Sequence, residues 1–140
     1  MRKASLIIVT CLLMAFVMTV YGQQQRELQP IMKEIQPTSN GLTAGINNRT
    51  MTGADVVKDA EKLAGLFKEV SSYMKTKNLD KAVQWANEAS AAASDLAKAT
   101  TANDVEAMKT ARAGFQKQCK TCHDVHREQL PDKTFKLKVP

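Results

Sequence analysis

"NDVEAMKTARAGFQKQCKTCHDVHREQLP", residues 103–131, begins like a helix and ends on a proline. Asn103, followed three residues later by Glu106, makes a capping-box-like start. Val105, Met108, Arg112, Phe115, Cys119, Cys122 and His126 then recur at helical spacing, until Leu130-Pro131 stops the run. The stretch reads as one amphipathic helix whose last turns carry two cysteines and two histidines.

Working back from it, the rest of the chain reads the same way, and no segment alternates like a strand. The third helix sends Ala82, Trp85, Ala89, Ala93 and Leu96 to the core, and its alanines favour helix and permit close approach to a neighbour. The second starts at Thr52, a hydroxyl cap, and buries Val56, Ala60, Leu63, Phe67 and Val70 before fading near Lys77. Asn78 and Asp80 mark the tight link between these two. The first runs from about Arg26 to Asn47, with Leu28, Met32, Ile35, Leu42 and Ile46 on one stripe. Pro37 inside it is expected to kink or interrupt it. Beyond Pro131 a polar tail is expected. Four amphipathic helices with short links predict an all-α fold, an antiparallel up-down-up-down four-helix bundle.

The chain opens with Arg2 and Lys3, an apolar run from Ala4 to about Tyr21, and the polar Gln23–Gln25. That is the pattern of a secretory signal with a cut after Gly22; a membrane anchor is the competing reading, since such a run can just span a bilayer. The expected division is therefore 1–22 signal peptide and 23–140 one helical domain, with the domain exported. Removing Arg2 and Lys3, with no acid among residues 1–22, takes the net charge from +6 to +4. The lysines are interleaved with acids, which describes solvated helix faces rather than a nucleic-acid surface. The tail lysines 133, 136 and 138 are suited to steering an acidic protein partner.

After the signal only Cys119 and Cys122 remain, which is no disulfide framework. With His123 they form C-x-x-C-H, the attachment signature of a c-type haem. The spacing has a physical reason. Cysteines at i and i+3 point the same way and reach two vinyl groups on one porphyrin edge, and the following histidine projects under the ring toward iron. Zinc needs four converging ligands, which Cys119, Cys122, His123 and His126 on one continuous helix cannot supply. A thioredoxin-like dithiol expects a βαβ setting that this chain lacks. Arg127, one turn beyond His123 on the same predicted face, is either a partner for a haem propionate or a solvated arginine. His126 reads as a surface histidine.

A signal peptide, four helices and the run "CKTCHDVHR" (119–127) on the last helix resemble the class II c-type cytochromes, the cytochrome c-prime family. The resemblance implies thioether links at Cys119 and Cys122 to one haem c, His123 as proximal iron ligand and Arg127 beside the haem. This sequence departs at His126, where the family often has an aromatic residue. Class I cytochromes place the motif near the N-terminus and take a methionine from downstream, whereas no methionine follows His123 here. "QPIMKEI" (29–35) resembles the first-helix segment of the methionine-ligated, low-spin members, which implies Met32 as sixth ligand. A core methionine on an apolar stripe is the other fate open to it. Met51 is expected in a loop, Met74 near a helix end, and Met108 on the haem-bearing helix.

The resemblance therefore implies a periplasmic electron carrier, not an enzyme, that cycles Fe(III)/Fe(II) with redox partner proteins. It is expected to have no nucleic-acid partner and, once the signal is cut, no stable membrane association; a homodimer is common in the family. An open distal face binding NO or CO is the alternative.

Overall fold

The computed structural model describes residues 26–139, and the expected signal peptide lies outside them. Four helices follow one another: α1 (Leu28–Asn48), α2 (Gly53–Thr76), α3 (Asp80–Thr101) and α4 (Val105–His126). The links 49–52, 77–79 and 102–104 are short, so consecutive helices run antiparallel. This is the four-helix bundle expected, with two short strands, β1 (Arg127–Gln129) and β2 (Phe135–Leu137), added after it.

All three links use one device. Arg49, Asn78 and Asn103 each adopt a left-handed backbone, with φ of 56°, 55° and 56°. That turn returns the next amide to a carbonyl five residues back: Thr50 N to Gly45 O at 2.9 Å, Leu79 N to Met74 O at 3.2 Å, Asp104 N to Ala99 O at 2.9 Å. Asn103 therefore terminates α3 instead of opening α4. The cap of α4 is Asp104, whose side chain accepts from Ala107 N at 3.0 Å. Thr52 caps α2 as expected, in a capping box with Asp55.

Pro37 does not interrupt α1. It and Lys33, one turn back, are both exposed, so the carbonyl deprived of its usual donor can be hydrated. Thr38 Oγ1 also donates to Glu34 O at 2.8 Å, holding the turn.

The core runs the length of the bundle from Ile31, Ile35 and Leu42 on α1 through Leu63, Phe67 and Met74 on α2 to Ala82, Ala89, Ala93 and Leu96 on α3. On α4, Ala111 and Phe115 complete it, and Phe115 meets Phe67 with ring centroids 6.3 Å apart. Small residues let α3 approach both neighbours. Ser90 Oγ donates to Ala64 O of α2 at 2.8 Å, and a methyl on Gly114 of α4 would sit 3.2 Å from Ala92 Cβ. Trp85, placed in the core by its spacing, is only half-buried.

Helix α1 packs on α2, but it meets α4 through long side chains: Arg112 Nη1 donates to Asn47 Oδ1 at 2.6 Å and Gln116 Nε2 to Thr43 Oγ1 at 3.2 Å. Continued along both helices, that antiparallel register sets the first turns of α1 level with the end of α4. The tail is no extended polar strand. It is a hairpin, with Arg127 opposite Leu137 and Gln129 opposite Phe135.

Candidate functional site

One end of the bundle collects the chemistry. The start of α1, the end of α2, the start of α3 and the end of α4 all meet there, because neighbours alternate in direction. The motif occupies the last two turns of α4. Cys119 and Cys122, three residues apart, are both half-buried, both free thiols, and both packed against the core. Burial pushes the Cys119 thiol up to about 11, aided by its neighbour Cys122, and burial raises Cys122 as well. A catalytic dithiol needs a thiolate at neutral pH, so these raised thiols do not suit exchange chemistry. They remain neutral sulfurs on one helical face, spaced for two bonds to one flat ligand.

His123 follows on the same turn, half-buried. Burial, then the charge of Arg127, lowers its proton affinity, while Asp124 opposes them. The ring is thus kept neutral, with a nitrogen lone pair free for a metal. Among the described residues no three histidine, cysteine or carboxylate side chains converge as a metal cage. Cys119, Cys122 and His123 offer two sulfurs and an imidazole from one helix end, a set that would suit a cofactor bringing its own metal.

Arg127 is not on the helical face where its spacing placed it. Helix α4 ends at His126, and Arg127 turns into extended backbone (φ −106°, ψ 124°) as the first residue of β1. Its amide still donates to the His123 carbonyl, and its guanidinium lies 3.4 Å from the centroid of the Phe135 ring. It stays electrostatically close to His123 but is braced by the hairpin.

His126 is a correction too. It is 6% exposed, not a surface residue. Its Nδ1 lies 3.0 Å from Lys138 O, and since a carbonyl only accepts, Nδ1 carries the proton. Its ring stacks at a tilt against Trp85, 6.0 Å between centroids. The signal was present in the sequence, because His126 continues the buried stripe of α4 at helical spacing.

Met32 lies on α1, half-buried and packed against the core, at the end of the bundle that holds the motif. Of the other described methionines, Met74 shares that end but is 1% exposed, enclosed by the core. Met51 sits against Gly45 at the opposite end, where a methyl on Gly45 would collide with it. Met108 starts α4, also at the opposite end. Two surface grooves of about 460 and 400 Å³ lie between α2 and α3, lined by residues such as Lys58, Glu61 and Thr101, and none of the motif residues lines them.

No curated protein and no solved structure matches the chain. The model of the family described as Cytochrome C' matches residues 23–127, three-quarters of the chain, ending at the last residue of the "CKTCHDVHR" run. Four helices in alternating directions, a C-x-x-C-H motif closing the last of them, and that match together place this chain in the cytochrome c-prime family.

Proposed function

We propose that the chain is an exported monohaem cytochrome that carries single electrons between redox partner proteins, and that His123 and Met32 would be the residues that hold its iron. Membership in the family implies a covalently bound haem c, and its members are typically periplasmic. The match begins at Gln23, the first residue after the expected signal cut, which supports export. Among the described residues no helix is long and apolar enough to cross a membrane.

The observation that carries the finer reading is Met32. It is the one described methionine at the motif's end of the bundle whose side chain is not already enclosed by the core. A bound haem supplies the Fe(III)/Fe(II) couple, and His/Met ligation suits that couple to electron transfer rather than gas binding.

The chain's own residues hold and tune it. Cys119 and Cys122, free thiols three residues apart on α4, would hold the haem through two thioether links. His123 offers an unprotonated nitrogen, kept so by burial and by Arg127. The apolar core against which Met32 packs includes Ile31 and Ile35 of the same helix.

The test is spectroscopic. The ferrous haem-loaded protein should give a sharp low-spin spectrum that CO leaves unchanged, and Met32→Ala should convert it to a high-spin form that takes CO at once. A wild-type protein that is high-spin and binds CO immediately would replace this reading with the gas-binding one.

A further inference from the structure

The family match stops at Arg127, yet the chain continues into an ordered hairpin. Its turn is well closed. Leu130 N donates to Thr134 O at 2.8 Å, Lys133 N to Leu130 O at 2.9 Å, and Asp132 accepts from both the amide (2.9 Å) and hydroxyl (2.6 Å) of Thr134. A two-stranded hairpin is marginal alone, so docking must hold it. Its docking contacts go to two places only one turn from the candidate axial ligands.

On the α4 side, Lys138 N donates to His126 O at 2.8 Å and the His126 ring returns a bond to Lys138 O. His126 is one turn past His123. On the α1 side, Gln29 Nε2 donates to Phe135 O at 3.1 Å, and Gln29 is one turn before Met32. Between these anchors Leu137 packs against the core, and Arg127 and Phe135 stack. The hydrogen bonds that otherwise join α1 to α4, from Arg112 and Gln116, lie toward the far end of the bundle.

We propose that the C-terminal hairpin, residues 127–138, is a clamp that holds the α1 turn bearing Met32 against the α4 turn bearing His123, making Gln29 and His126 positioning residues. Its consequence for the iron rests on the Met32 reading, but the clamp itself is a property of the polypeptide. Without it the first turns of α1 open more often, and Met32 leaves the sixth position more readily.

The experiment compares the haem-loaded wild-type protein with Gln29→Ala and with a chain ending at Gln129. It measures the CO association rate of the ferrous form and amide hydrogen exchange over residues 28–36. The clamp predicts faster CO binding, by about tenfold for the shortened chain because two or more hydrogen bonds are lost. It also predicts faster exchange at 28–36 while α2 and α3 keep their protection. Unchanged rates and unchanged exchange overturn the clamp and leave Met32 ligation standing. If the wild type itself binds CO at once, the Met32 reading fails, and exchange at 28–36 alone decides the clamp. If the shortened chain does not fold, Gln29→Ala, an exposed substitution to a strong helix former, decides by the same two measurements.

Discussion

Cys119 shows how a single side chain carries both packing and chemistry. Its thiol is raised from 9.0 to about 11, first by burial and then by Cys122, so the folded chain holds this proton more tightly than the unfolded chain does. The sign follows: the stabilising contribution is complete below pH 9 and is lost as the pH climbs toward 11. In the haem-free protein, alkylation of Cys119 should therefore keep accelerating up to about pH 11, whereas in the denatured chain it should level off above about 9. A folded-state profile that levels off near 9 would mean that the thiol is not buried as described. The same residues explain what was legible beforehand. Cys119, Cys122 and His123 sit within two turns of one helix, so their spacing alone placed them together. Met32 reaches the same end through tertiary structure, and spacing within α1 says nothing about which end of α4 it faces. The spacing of α4 points His126 toward the buried stripe, but a histidine near a helix end is usually solvated, and what keeps it buried is Trp85 and the hairpin, which its own helix does not encode.

At the scale of elements, the helices were legible because their apolar stripes are long and regular, while their ends depended on a competition between adjacent polar residues. Asn103 and Asp104 are both good caps, but asparagine also tolerates the left-handed backbone that ends α3, so it took that place and left the cap to Asp104. Asp104→Ala should cost about 1 kcal/mol of stability in denaturant unfolding, and Asn103→Gly should be neutral or mildly stabilising. Equal losses at both positions would contradict this division of labour. Pro37 was a real conflict in α1 that solvent exposure resolves. The strands were invisible because each spans three residues, too few for alternation to register. The contact between α3 and α4 gives a sharper prediction. Gly114→Val adds branched carbon where a single methyl is already 3.2 Å from Ala92, so it should destabilise the protein by about 1–3 kcal/mol. Ala92→Gly in the same chain should restore part of that loss, and a lack of rescue would place the strain elsewhere.

At the scale of the whole molecule, alternation of helix direction does the functional work. It brings the beginnings of α1 and α3 to the ends of α2 and α4, so that Met32, Trp85, Met74 and the C-x-x-C-H motif share one end. The family match covers the bundle and stops where the hairpin begins, and the hairpin docks at that same end. The opposite end keeps Met51, Met108 and the larger of the two grooves between α2 and α3. The central claim, a haem held by two thioether links beside His123, is tested most directly by the mass of the intact protein after export and full denaturation. The expected mass is that of the polypeptide from Gln23 plus one haem, with the added mass on the peptide containing Cys119, Cys122 and His123 and neither thiol open to alkylation. A bare polypeptide mass with both cysteines alkylated, from cells competent to mature c-type cytochromes, would contradict it.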